Sequence, residues 1–121
     1  DSLRVSILDW AALPTVADQL RAASSIDILI TMHGAGNAWV SAMPPRSVII
    51  EIWPDCLARG VYMGMAAHYN VRYYPLCHHR KPSKGSGSDY FMHTSVEVDV
   101  GKLMALLSER AIPFLKKAHC C

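Results

Sequence analysis

The sequence predicts an α/β fold, with a mainly parallel sheet and helices on both faces. Two short runs, 26–32 and 48–53, are almost wholly apolar and rich in β-branched residues. Such runs are typical of strands buried on both faces, as in parallel sheets. Segments with apolar residues at helical spacing alternate with these runs, and parallel strands need crossovers of that kind.

The elements follow in order along the chain. The predicted strands are 3–8, 26–32, 48–53, 71–76 and 94–98, and the predicted helices are 13–23, 37–43, 57–69 and 99–112. Thr15 and Asp99 are placed as helix N-caps because their side-chain oxygens can accept from backbone amides of the first turn. Pro75 predicts that its strand lies at a sheet edge or ends there, and Pro113 is expected to kink or stop the last helix.

The composition is that of an ordinary globular chain. Its 121 residues are 51% apolar and 18% charged, with a net charge of +2, which predicts one domain over 1–121 and argues against a nucleic-acid partner. Glycine, proline and serine between 77 and 90 predict a flexible loop. The chain begins at Asp1, so we expect it to be a piece of a longer protein.

The cysteines Cys56, Cys77, Cys120 and Cys121 allow three disulfide connectivities, and no zinc-site spacing is present.

The segment His33-Gly34-Ala35-Gly36-Asn37 lies between a predicted strand and a predicted helix. Glycine lets a ligand approach the backbone closely, and helix-start amides attract anions, so the segment is a candidate anion site. The alternative is that the turn needs glycine only to change direction. Neither GxGxxG nor GxxxxGK[ST] occurs, and the absence of GxSxG argues against an α/β-hydrolase.

Two titratable residues are further candidates: His33, which begins this segment, and Glu51, which lies in the next predicted strand. His33 could donate to a phosphate or act as an acid or base, or it could brace the turn. Glu51 is a carboxylate inside an apolar strand, which is costly unless it is paired. It could bind sugar or ribose hydroxyls, accept from amides of the turn, or serve structure alone. Trp53 and Tyr73 are interpreted as packing residues, with lining of a cleft as the alternative.

The stretch HGAGNAWVSAMPPRSVIIEIWP resembles the motif of the family-61 glycosyltransferases, which include EGF-domain O-GlcNAc transferases and plant xylosyltransferases. The matching positions are His33 to Gly36, Pro44-Pro45, Ser47, Glu51 and Pro54. The resemblance covers about residues 13–76. Departures from the family pattern are Asn37 and Trp39, where the family commonly has Leu and Asn, and Arg46, where Gly often follows Pro-Pro.

The resemblance implies the C-terminal, Rossmann-like half of a GT-B enzyme that transfers xylose, N-acetylglucosamine or arabinose from a UDP-sugar with inversion. It implies donor diphosphate binding by His33, Gly34, Ala35, Gly36 and Asn37, with His33 also the candidate catalytic residue. Glu51 would contact the donor sugar or ribose, or be structural. No metal or other cofactor is expected. The partners implied are a UDP-sugar donor, a glycan or glycoprotein acceptor and a missing N-terminal half of the same chain.

A non-catalytic binding or scaffold domain of the same α/β fold is the alternative function. If the parent protein is eukaryotic, the resemblance implies the lumen of the Golgi or endoplasmic reticulum.

Overall fold

The computed structural model describes residues 3–53, 60–77 and 97–120. Three strands, β1 (Ile28–Met32), β2 (Val48–Trp53) and β3 (Arg72–Cys77), form a parallel sheet in the order β1-β2-β3. β2 is central, and all six of its residues are buried. The predicted α/β class and the three corresponding strands are confirmed.

Helices account for most of the remaining described chain. They are α1 (Val16–Ala23), α2 (Val61–His68), α3 (Val100–Leu106) and α4 (Ile112–His119), with 3₁₀ segments at Trp10–Ala12 and Ala35–Ala42 and a π turn at Leu107–Ala111. Thr15 caps α1 by accepting from the Asp18 amide, and Asp99 caps α3 by accepting from the Lys102 amide, as predicted. None of the described helices is long and apolar enough to cross a membrane.

Each face of the sheet has its own apolar core, which confirms the prediction of helices on both faces. On one face, Leu29 and Ile49 pack with Val40 of the 3₁₀ segment and Ala66 of α2. On the other face, Val48, Ile50 and Ile52 pack against the C-terminal helices. A side chain on β2 therefore points into one of two layers and is itself buried there.

The predicted strand 3–8 is wrong. This segment is irregular and its alternating apolar side chains are exposed, with Val5 at 88% and Ile7 at 101%. Alternation favours a strand only where a neighbouring strand supplies hydrogen bonds and a buried face. Among the described residues, nothing pairs with this segment.

The C-terminal part also departs from the predictions. Of the two predicted outcomes at Pro113, a kink or a stop, the stop is wrong: α4 continues past the proline, after a π turn in which the Ile112 amide donates to the Leu107 carbonyl. The widened turn accommodates the proline ring at the start of α4. Residues 97–99 are irregular, which contradicts the end of the predicted strand 94–98, and 94–96 lie outside the described residues. Of the predicted loop 77–90, only Cys77 is described, and it ends β3.

Pro75 lies on an edge strand of the described sheet, as predicted. The Arg72 amide donates to Ser47 beside β2. By alternation, the backbone of Pro75 faces away from β2, where its missing N–H removes no bond between β2 and β3.

Candidate functional site

Polar and aromatic side chains meet at the carboxyl end of the sheet, on the face that α2 covers. The register aligns Thr31 of β1 with Glu51 of β2, and laterally aligned residues of parallel strands share a face. Trp53, two residues beyond Glu51, points to the same face. His33 directly follows β1, and its amide donates to the Ile52 carbonyl, which ties the start of the turn to β2.

Glu51 is the centre of this cluster and is fully buried. Its Oε1 accepts from Asn37 Nδ2 at 2.9 Å and lies 2.8 Å from His33 Nδ1. Its Oε2 accepts from the Tyr73 hydroxyl at 2.5 Å. Three side-chain donors thus replace the water that the carboxylate loses on burial, which is the condition for keeping a charge inside a core.

The Glu51 carboxylate determines the proton positions around it. A carboxylate that is ionised only accepts, so with Glu51 in that form Asn37 Nδ2 and His33 Nδ1 are the atoms that carry hydrogen toward it. Tyr73 donates as well, because burial, followed by the hydrogen bond to Glu51, raises the pKa of its phenol above the ordinary value. The cluster is therefore a set of oriented donors around one acceptor.

A second layer of contacts holds the donors in place. Asn37 Oδ1 accepts from the Thr31 hydroxyl at 2.8 Å. The Tyr73 oxygen accepts from Trp53 Nε1 at 3.0 Å. Each residue that donates to Glu51 through an amide or a phenol is thereby fixed by another side chain, which is how a rigid polar site is built.

The imidazole of His33 is held on three sides. Its ring stacks on Trp53, with 4.1 Å between centroids and 23° between planes, and it lies tilted to Tyr62 at 5.5 Å. Nδ1 is occupied by Glu51, whereas Nε2 makes no hydrogen bond within the described chain. The side chain keeps 31% of its exposure. His33 therefore presents one oriented ring nitrogen at the carboxyl edge of the sheet.

The glycine turn differs from the expected arrangement in its backbone. Gly34 is extended, at φ 170° and ψ 171°, and Gly36 is not left-handed, so neither glycine needs a positive φ. A Cβ on Gly34 would meet nothing within 4 Å, whereas one on Gly36 would lie 3.3 Å from Trp10 Cδ1. Open space therefore lies at Gly34, whereas a side chain at position 36 would be in tight contact with an indole ring.

The helical segment after the turn is a 3₁₀ helix, Ala35–Ala42, and not an α-helix beginning at Asn37. The first hydrogen bond of the segment runs from the Asn37 amide to the Gly34 carbonyl. The amides of Ala35 and Gly36 precede it and take no part in the helical hydrogen bonds. The Asn37 side chain is buried and bonded to Glu51 and Thr31. It braces the site, and any contact with a diphosphate would have to replace one of these bonds.

The structure brings together most of the predicted site residues and adds three. His33, Asn37 and Glu51 are in contact, and the turn at Gly34 adjoins them. Glu51 accepts from side chains and not from amides of the turn. The role of Thr31 was not predicted, because a threonine in an apolar strand carries no local signal. Tyr73 and Trp53 were interpreted mainly as packing residues, and their hydrogen bonds depend on the register between strands.

No group of three or more His, Cys, Asp and Glu side chains within the described residues is arranged to hold a metal ion. Comparisons of the chain with protein-family models, with curated proteins and with solved structures found no match.

Proposed function

We propose that this chain is the donor-binding half of an inverting glycosyltransferase of GT-B, Rossmann-like type that takes its sugar from a UDP-sugar. One observation carries the proposal beyond the resemblance. A histidine at the carboxyl edge of a parallel sheet is bonded through Nδ1 to a buried carboxylate, and its Nε2 has no hydrogen bond within the described residues and lies beside a turn with open space. Ligands of open parallel sheets bind at that edge.

The position of His33 favours contact with the leaving diphosphate. In an inverting displacement, the acceptor oxygen forms its bond to the anomeric carbon while the bond to the diphosphate oxygen breaks and its electron pair leaves with UDP. The acceptor attacks from the opposite side of that carbon. Because His33 directly precedes the turn proposed for the diphosphate, its imidazolium form, which carries hydrogen on both ring nitrogens, would donate from Nε2 to the leaving group and from Nδ1 to the counter-charge of Glu51. The base for the acceptor hydroxyl would come from another segment.

Gly34 would supply the close backbone approach. A Cβ at this position meets no protein atom within 4 Å, so a ligand phosphate could lie against its Cα without disturbing the fold. The amides of Ala35 and Gly36, which precede the first helical hydrogen bond, would add uncharged donors. Together with His33, these groups could replace the metal that other diphosphate sites use.

Binding of UDP and of uridine to the chain tests the role of His33. A charge-assisted hydrogen bond contributes about 1.5–3 kcal/mol. We therefore expect His33→Gln to weaken UDP about 10- to 100-fold and to leave uridine affinity unchanged, as measured by isothermal titration calorimetry. His68→Gln, which changes a histidine of α2 that bonds neither Glu51 nor the turn, is the matched control. Equal UDP affinity in folded His33→Gln would rule out the proposed contact.

Gly34→Ala tests the approach of the ligand to the turn. The added methyl group enters open space, so folding should be unaffected while UDP affinity falls. Gly64→Ala in α2 adds a methyl group to open space elsewhere and serves as the control. If Gly34→Ala binds UDP as tightly as the unmodified chain, the diphosphate lies elsewhere.

Release of UDP from UDP-sugars, measured once an acceptor half is present, separates the proposed enzyme from a scaffold domain. UDP binding with no turnover on any UDP-xylose, UDP-N-acetylglucosamine or UDP-arabinose donor would favour the non-catalytic alternative.

A further inference from the structure

A second concave region lies away from the His33 site. It is a groove of about 540 Å³ that runs past the outer side of β3, between α2 and α4. Arg46, which precedes β2, and Arg72, which begins β3, place it toward the amino end of the sheet. The His33 site occupies the carboxyl end. The volume is within the range of small-molecule pockets, about 300–1,000 Å³.

Two arginines supply the charge of this groove. Both are exposed, and neither forms an ion pair or a side-chain hydrogen bond in the part of the chain that the structure describes. The guanidinium of Arg72 lies over the ring of Phe114, 4.7 Å from its centroid. This contact holds the guanidinium beside an aromatic ring, and its N–H groups bond no side chain within the described residues, so they can donate to an oxyanion.

The backbone under the two arginines is fixed and locally strained. Arg46 is left-handed at φ 69°, a conformation that costs an arginine energy and a glycine almost none. Its amide donates to the Asn70 carbonyl at 2.6 Å, and the Arg72 amide donates to the Ser47 carbonyl at 2.8 Å. Strained residues that persist are concentrated at functional positions, and this one places a cation at the groove.

The walls of the groove combine polar and apolar surface in similar amounts. Met63 of α2 is 52% exposed, and the ring of Tyr73 and that of Phe114 also line the space. Two cations beside apolar side chains suit a ligand with one anionic group and an apolar body. A polyanion would need more cations than the groove provides, and a purely apolar ligand would leave the guanidiniums unused.

We propose that the groove binds a small organic oxyanion, a phosphate ester or a carboxylate, with Arg46 and Arg72 on the anionic group and the apolar side chains on the body of the ligand. This site is separate from the proposed UDP site. The two sites share Tyr73, which lines the groove and donates its hydroxyl to Glu51, but neither arginine contacts Glu51 or His33.

Phenyl phosphate, benzoate, inorganic phosphate and phenol are the probes, titrated into the chain by calorimetry. Phenyl phosphate or benzoate should bind saturably and at least tenfold more tightly than inorganic phosphate or phenol, since only they combine both features. Arg46→Gly should lower that affinity at least tenfold with the melting temperature unchanged or raised, because glycine tolerates the left-handed backbone. Arg72→Gln should also lower it at least tenfold.

Arg110→Gln is the control, since it removes the same charge from an exposed position outside the groove. An equal loss of affinity in Arg110→Gln would show that net charge alone attracts the probe and would overturn the site. Unchanged affinity in both Arg46→Gly and Arg72→Gln, or no saturable binding of either aromatic anion at millimolar concentration, would overturn it as well. UDP binding should be unaffected by Arg46→Gly, so the two proposals fail separately.

Discussion

The two ends of the sheet differ in the burial and the hydrogen bonding of their charged side chains. At the carboxyl end, the Glu51 carboxylate is fully buried and accepts from three side chains, two of which are held by further hydrogen bonds. At the amino end, Arg46 and Arg72 are exposed and unpaired within the described residues, above a backbone that is left-handed at Arg46.

The difference separates polar groups that support the fold from polar groups that are free to bind. A buried carboxylate surrounded by donors contributes to stability, and removing it leaves the donors unsatisfied. An exposed unpaired guanidinium contributes little to stability. Substitution of Glu51 or of its donor Tyr73 should therefore destabilise the protein, whereas substitution of Arg46 or Arg72 should weaken ligand binding with little loss of stability.

The largest effect should come from Glu51→Ala. It leaves the donors of His33, Asn37 and Tyr73 without their acceptor and creates a cavity beside the central strand. We expect a loss of about 3–5 kcal/mol in the free energy of unfolding, the range for breaking a buried charge cluster from one side, measured by urea denaturation. A loss below about 1 kcal/mol would mean that the cluster is not supporting the fold.

Tyr73→Phe should have the next largest effect, and the effect should depend on pH. It removes a hydrogen bond to a charged group, which corresponds to about 1.5–3 kcal/mol near neutral pH, and it leaves Trp53 Nε1 without its acceptor.

The sign of the pH dependence follows from the raised pKa of Tyr73. Unfolded tyrosine loses its proton near pH 10, whereas the folded phenol keeps it to higher pH. The unmodified protein therefore loses stability as pH rises above about 10. Tyr73→Phe lacks this proton, so the difference between the two proteins should narrow in that range. A constant difference from pH 7 to 11 would contradict the proposed protonation.

The two glycines of the turn should respond differently to the same change. Gly36→Ala places a methyl group 3.3 Å from Trp10 Cδ1, so the indole must shift. We expect a loss of about 1 kcal/mol, at the low end for overpacking because Trp10 is only partly buried, with an altered tryptophan emission maximum. Gly34→Ala should stay within about 0.5 kcal/mol of the unmodified chain. Equal losses at both positions would show that the turn is packed on both sides.

The smallest effect is expected at the amino end, from Ser47→Ala. The Ser47 hydroxyl is buried and has no hydrogen-bond partner within the described chain. Removing it costs no hydrogen bond, so stability should be unchanged or rise by up to about 1 kcal/mol. A clear loss in urea denaturation would reveal a partner for this hydroxyl and would make the two ends of the sheet more alike.

Local patterns predicted the elements whose stability is local or whose burial is complete. The runs that became β1 and β2 are apolar throughout, and the Thr15 and Asp99 caps depend on residues three positions away. The segment 3–8 has a strand pattern as well, yet it lacks a neighbouring strand in the described structure, and sequence alone does not reveal which strands find partners. Pro113 likewise follows a π turn that no sequence pattern marks.

The candidate site divides in the same way. The sequence determined that a histidine and a glycine turn follow a buried strand, and that Glu51 is a carboxylate within another strand that must be paired. Only the tertiary structure decided that Glu51 pairs with His33, Asn37 and Tyr73, and that Gly36 faces Trp10 while Gly34 stays open. Those contacts join residues from two strands, the turn and the two 3₁₀ segments, and the register that aligns them results from packing both faces of the sheet at once.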